Sequence, residues 1–176
     1  MEIELRPLEM ADAEKLYDFF QQLPLRENGK HNSAHGLSRE EFNKWVKEHI
    51  DYAEGKSLPE GYVPCTTYIL YIDGVPVGMS TLRHRLSPSL EIDGGHIGTH
   101  ILPQYRGKGY GNIIKEETLK KAQEMGIDKV LIFNHDDNKP AWLSSEKAGG
   151  KLDSINTVKG VRIRKYVFDM TKKSNR

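Results

Sequence analysis

At 176 residues the chain is long enough to bury a substantial core and too short for two ordinary domains, so a single domain spanning 1–176 is expected. Its 26 basic and 25 acidic side chains leave a formal charge of +1, which excludes a whole-chain field aimed at nucleic acid or an anionic membrane and requires any phosphate site to be local. A single cysteine, Cys65, excludes an intrachain disulfide framework and a cysteine-rich zinc site; no apolar run reaches membrane-span length, and MEIELRPLEM lacks signal-peptide character, so a cytoplasmic protein is expected.

Glu2 to Arg6 alternates Ile3 and Leu5 with charges and stops at Pro7, which predicts a short strand, and a helix follows from about Ala11 to Phe20. Leu23 to Leu37 is rich in Gly, Asn, Ser and His without apolar periodicity and reads as a long polar loop. Ser38 and Glu41 have capping-box spacing ahead of Phe42, Trp45, Val46 and Ile50, which marks a second helix with an apolar stripe. Cys65 to Ile72 is β-rich, Asp73-Gly74 is a hairpin signal, and Val75 to Arg85 supplies the returning strand, with an irregular start at Pro76.

His96 to Leu102 predicts a further strand leading into a glycine turn, followed by a helix with Tyr110, Ile114, Thr118, Ala122 and Met125 at helical spacing and a stop at Gly126. Val130 to Phe133 reads as a buried strand, Asn138 caps a helix with Pro140 in its first turn, and Gly149-Gly150 ends it. A turn near Lys159-Gly160 precedes a strand over Arg162 to Phe168. The order predicts an α/β (α+β) fold: a single mixed, mostly antiparallel sheet of about six to seven strands with about four helices on its faces.

The most informative stretch is Gln104-Tyr105-Arg106-Gly107-Lys108-Gly109-Tyr110-Gly111, between a strand and a helix. Unpaired main-chain N–H groups and the positive helix end make such a place an anion site, and glycines let a ligand approach the backbone. Arg106 and Lys108 add charge, which suits a diphosphate better than a carboxylate. The Walker A pattern fails, because Leu102 and Gly109 stand where it needs a glycine and a Ser or Thr. The dinucleotide fingerprint fails as well, at Asn112 or Ile114 depending on its starting glycine.

Arg106, Gly109 and Gly111 do fit R-x-x-G-x-G, and GGHIGTHILPQYRGKGYG with NKPAWLSSEKAGG resembles the two signatures of the GNAT superfamily of acyl-CoA N-acyltransferases. The order of elements along nearly all of the chain agrees with that resemblance. It implies that backbone amides from Arg106 to Gly111 (Arg106, Gly107, Lys108, Gly109, Tyr110 and Gly111) take the coenzyme A pyrophosphate. It also implies that main-chain groups of Ile101 and Leu102 pair with the pantetheine arm, that Asn138 lies near that arm, and that acetyl-CoA is the acyl donor. Asn138 has a sufficient structural explanation too, as a helix cap, and the two roles are compatible.

Direct attack on a thioester needs a neutral amine, and a lysine-type ammonium is only about one part in a thousand neutral at pH 7. His96, Gly98 and His100 share one face of an extended strand, and His96 stands where many members of the resembling family carry a glutamate base, so His96 is a candidate general base. The alternative is a hydrogen-bonded histidine in a half-buried strand. His96 and His100 also have the spacing of the helical zinc motif, but Ile97 replaces its glutamate and the segment reads as a strand, so no metal is expected. Ser145 occupies the position at which the family often carries a tyrosine acid; its hydroxyl is shorter and a far weaker acid, which leaves it a weak candidate acid. Cys65 carries no mark of an activated nucleophile.

These features predict an N-acetyltransferase that moves an acetyl group from acetyl-CoA to a primary amine of a small molecule or peptide. The alternative is a noncatalytic acyl-CoA binding or sensing module. By the resemblance, the acceptor pocket is lined by Leu23 to Leu37, Tyr52 to Pro64 and Leu86 to Asp93, whose mixed composition names no acceptor. Neither nucleic acid nor membrane is expected as a partner, and a homodimer is the commonest assembly for such a protein.

Overall fold

The computed structural model describes residues 1–172, so the last four residues of the expected 1–176 domain lie outside the described residues. The first half of the chain holds β1 (Ile3–Pro7), α1 (Ala13–Gln22), β2 (Arg26–Glu27), β3 (Lys30–His31), α2 (Arg39–Ala53), β4 (Cys65–Ile72) and β5 (Val75–Arg83). The second holds α3 (Pro88–Ile92), β6 (Ile97–Ile101), α4 (Tyr110–Glu124), β7 (Lys129–His135), α5 (Lys139–Lys147), β8 (Lys151–Val158) and β9 (Val161–Asp169).

β4 is buried at nearly every position because both of its faces are covered. It lies between β1 and β5 in an antiparallel sheet of order β1-β4-β5-β6. Successive side chains point to opposite faces, so Ile69 and Tyr71 join an apolar cluster with Leu16 and Phe20 of α1 and Phe42 and Trp45 of α2. Leu70 and Ile72 point the other way and pack with Val77 and with Ile114 of α4. Each of the large, fully buried side chains, such as Phe20 and Leu70, contributes about 1.5–3 kcal/mol by leaving water. The remaining three long strands form a second sheet of order β7-β9-β8, with α5 against it through Trp142.

Local signals placed these elements well. At α2 both halves of the capping box form: Ser38 Oγ accepts from Glu41 N at 3.2 Å, and Glu41 Oε2 accepts from Ser38 N at 2.7 Å. Asp73 and Gly74 both take positive φ, as a tight hairpin turn requires, and the register slips between Leu70 and Tyr71, opposite Pro76. The stretch expected to be an unbroken loop differs. Asn28 and Gly29, both at positive φ, turn a small β2–β3 hairpin inside it, whose two-residue strands carry no apolar alternation to betray them.

The single sheet of about six to seven strands expected from the sequence is therefore present as seven strands in two parts, joined at one point. There His96 N donates to Leu131 O at 2.8 Å, and Leu131 N donates to His96 Nδ1 at 3.0 Å. A Cβ on Gly95 would sit 2.5 Å from Leu131 O, and Gly95 has φ +62°, so only glycine lets the chains meet this closely. Beyond that point β6 pairs with β5 and β7 with β9, and no ladder joins β6 to β7 among the described residues. The gap that opens between them positions the candidate site.

Candidate active site

The turn after β6 is built by a short 3-10 segment, Pro103–Tyr105, followed by the glycines. Gly109 is the N-terminal cap of α4 at φ +84°, a left-handed conformation that a side chain would strain, and no side chain caps this helix end. Arg106 N is used up by Pro103 O at 3.3 Å. From Gly107 to Gly111, however, the main-chain N–H groups have no acceptor among the described residues. A Cβ placed on Gly107, Gly109 or Gly111 would meet no protein atom within 4 Å, so their bare backbone faces open space. Consecutive free donors at the positive end of a 15-residue helix fit an anion with several oxygens, such as a pyrophosphate.

This turn borders a cavity of about 420 Å³ between β6, α4 and the start of α5. Of the residues singled out from sequence for a cofactor, Ile101, Arg106, Gly107, Tyr110, Gly111 and Asn138 line it; Leu102, Lys108 and Gly109 do not. Leu102 is buried and its N–H donates to Val77 O at 2.9 Å. Lys108 stands over the Tyr105 ring at 5.4 Å. The Arg106 guanidinium is turned toward the hairpin, held by Glu27 at 2.9 and 2.7 Å, while its Nε donates to Ile101 O at 3.1 Å. Asn138 is the cap residue of α5, but its side chain makes no cap hydrogen bond.

A second cavity, of about 470 Å³, lies on the other side of the β2–β3 hairpin, over the face of β5 and β6 that carries Met79, Thr81, Gly98 and His100. Trp45, His49, Tyr62 and His135 complete much of its wall. Asn28, Lys30 and His100 line both cavities, so the two meet at these residues. Lys30 Nζ donates to Thr99 O, and burial lowers this amine to about 8. Burial, with Lys30 and Arg106 nearby, pushes the His100 imidazole down to about 3, which keeps it neutral.

His96 is not brought to either cavity. Gly98 and His100 share a face as expected, but β6 becomes regular only at Ile97, and His96 turns into the joint between the sheets, where its Nδ1 is an acceptor. Burial, with Arg83 adding repulsion, pushes it down to about 4. His96 is thus hydrogen-bonded to Leu131 through both its main chain and its ring. Ser145 is likewise fully buried and absent from the lining of both cavities; its hydroxyl donates to Asn134 Oδ1 at 2.7 Å. Behind it stands a residue that sequence reasoning missed. Lys115 Nζ donates to Ser145 Oγ and to Ala141 O, both at 2.9 Å, and Lys115 lines the 420 Å³ cavity although it is only 2% exposed. Burial lowers its amine to about 7. The signal was available: Lys115 falls in line with Thr118, Leu119 and Ala122, at the spacing of the buried face of α4. Cys65 is pushed up to about 11 by burial, the opposite of an activated thiol.

A family model described as an acetyltransferase (GNAT) domain matches residues 2–151. The chain belongs to the GNAT family. Solved structures agree in fold over nearly the whole length of this GNAT acetyltransferase. RimL, a ribosomal L7/L12 alpha-N-protein acetyltransferase in complex with coenzyme A, has a TM-score of 0.71 at 16% identity, covering 95% of this chain and 93% of its own. A chimera of the spermidine N-acetyltransferase SpeG from Vibrio cholerae and hSSAT has a TM-score of 0.67 at 14% identity, covering 100% of both chains. The structure of yncA from Salmonella typhimurium with its cofactor acetyl-CoA has a TM-score of 0.64 at 11% identity, covering 96% of this chain and 94% of its own. No curated protein matches by sequence. No helix among the described residues is long and apolar enough to cross a membrane.

Proposed function

We propose that this GNAT acetyltransferase transfers an acetyl group from acetyl-CoA to a primary amine by direct attack. The observation that carries the reading is the run of free main-chain donors from Gly107 to Gly111 at the mouth of α4. These amides would hold the pyrophosphate, and the exposed edge of β6, with Tyr110 and Asn138, would flank the pantetheine arm. When bound, acetyl-CoA supplies an activated thioester. The acceptor amine would enter from the 470 Å³ cavity and meet it where Asn28, Lys30 and His100 line both spaces.

In this reading a carbon–nitrogen bond forms and the carbon–sulfur bond breaks. His100, rather than His96, stands on the path by which the amine proton leaves; an imidazole held near 3 relays a proton to water and does not store it. Ser145 has its proton committed to Asn134, so the departing sulfur takes its proton from the Lys115 ammonium, which lines the cofactor-side cavity with a pKa near neutrality. Titration calorimetry with coenzyme A, followed by thiol release from acetyl-CoA over a panel of primary amines, tests the reading. Binding together with amine-dependent thiol release is expected; a folded protein that binds no coenzyme A would overturn it.

A further inference from the structure

The larger cavity is cationic. Lys30 and Arg83 line it, and neither has an ion-pair partner among the described residues; both are tethered by backbone carbonyls instead. Lys30 Nζ donates to Thr99 O, and Arg83 Nη1 donates to Gly95 O at 2.8 Å and to Gly94 O at 3.3 Å. Carbonyl tethers fix the positions of the two side chains without neutralising them, and the Arg83 fork keeps its remaining N–H donors. The carboxylate nearest Lys30 in sequence, Glu27, is engaged by Arg106 at 2.9 and 2.7 Å. Asp93 is the sole acidic residue among those lining the cavity, and it is exposed. The imidazoles there do not reverse the balance: burial lowers both His49 and His100, so each enters neutral at pH 7.

The rest of the wall mixes neutral polar side chains such as Asn32, Thr67 and Thr81 with the apolar Phe20, Met79 and Phe133. Two fixed cations in a partly enclosed space with a single exposed carboxylate repel a ligand that carries spare ammonium groups and attract one that carries an anion. Resting on the acyltransfer reading above, we infer that the acceptor is an amine that also bears an anionic group, a carboxylate or a phosphate, and that Lys30 and Arg83 receive that group. A polyamine is excluded by the same charges. The two cations are spaced along the cavity. Lys30 stands where it meets the cofactor side, whereas Arg83 lies four residues along β5 from Met79, the partner of His100, which is about 13 Å of extended strand. An anion close to the amine meets Lys30, and one carried on a longer arm meets Arg83.

The test is thiol release from acetyl-CoA with four sets of amines at equal concentration: α-amino acids, longer ω-amino acids and acidic dipeptides, aminoalkyl phosphates, and a cationic or neutral set of spermidine and phenylethylamine. At least one anionic set is expected to exceed spermidine and phenylethylamine tenfold or more in kcat/KM. Arg83→Gln, which keeps donors for the two glycine carbonyls but loses the charge, is expected to raise KM for the preferred anionic acceptor about tenfold. Lys30→Gln does the same for acceptors with the anion close to the amine, and added salt raises KM in the parent protein. Spermidine or phenylethylamine turned over as fast as every anionic amine would overturn the inference and leave acetyl transfer standing. Thiol release with none of the amines, despite coenzyme A binding, would overturn the transferase reading and the inference together.

Discussion

The two cavities that meet at Lys30 and His100 are built in opposite ways. The cofactor-side cavity takes its principal donors from one short run of main chain, Gly107 to Gly111, whose direction is set by a helix start. The acceptor-side cavity takes its polar groups from side chains on α2, the β2–β3 hairpin, β5, β6, β7 and the turn at Asp93 and Gly94. A main-chain site depends on conformation, so only substitutions that strain or obstruct the backbone should damage it. A side-chain site depends on identity, so conservative charge changes should retune it.

The largest effect should come from obstructing the main-chain site. Gly109→Asp forces a side chain onto a residue at φ +84° and sets a carboxylate among free N–H donors. Coenzyme A affinity should fall by more than about 100-fold, roughly 2.7 kcal/mol or more, measured by calorimetry on a variant shown to be folded. Gly111→Ala is the contrast: its added Cβ meets no protein atom within 4 Å, so the fold should tolerate it. Equal affinity in the parent and in Gly109→Asp would show that the pyrophosphate is held elsewhere.

Next in size is the joint that gives both cavities their shape. His96→Ala removes the acceptor of Leu131 N in a buried setting, which should cost about 1–3 kcal/mol in urea unfolding. The parent should also be acid-sensitive here. His96 is lowered to about 4 when folded, so the unfolded chain binds more protons below about 6.5; the stability present above that pH is lost as pH falls toward 4. A His96→Ala protein of unchanged stability would show that the ring contact to Leu131 does not hold the two sheets together.

Lys115 is the side-chain exception on the cofactor side. Its amine is lowered to about 7 when folded against 10.5 in the open chain, so unfolding takes up a proton between those values. Stability should therefore rise with pH across that window, by up to about 1.4 kcal/mol per pH unit from this group, and Lys115→Met should flatten the slope. Unfolding midpoints at pH 7, 8 and 9 decide it; parallel curves for parent and variant would show that Lys115 titrates normally.

Legibility in the sequence follows the same division. Glycine pattern, caps and apolar alternation are local, so the β4–β5 hairpin, the α2 capping box and the turn from Arg106 to Gly111 could be read directly. Strand periodicity puts His96 on one face with Gly98 and His100, but where it points depends on where regular pairing begins, and that is set by Leu131, 35 residues away. The charge of the acceptor cavity was less accessible still. Nothing in the neighbours of Arg83 or Lys30 along the chain reveals that one is tethered to Gly94 and Gly95 and the other to Thr99, and that neither is neutralised. Asn28-Gly29 is a local turn signal whose two-residue strands carry no periodicity to confirm it, and α3, with Pro88 in its first turn, is too short to show an apolar stripe.

The smallest predicted effect is the most diagnostic of how the phosphate side is built. Lys108 lies outside the lining of the 420 Å³ cavity, over the Tyr105 ring, and its charge faces solvent. If main-chain donors do the holding, Lys108 acts only through a screened field, so Lys108→Ala should weaken coenzyme A binding by about two- to fivefold, or 0.5–1 kcal/mol, and the difference should vanish in high salt. A loss of tenfold or more that persists in salt would instead make Lys108 a direct phosphate ligand. The contrast would then fail, with both cavities relying on side-chain charge.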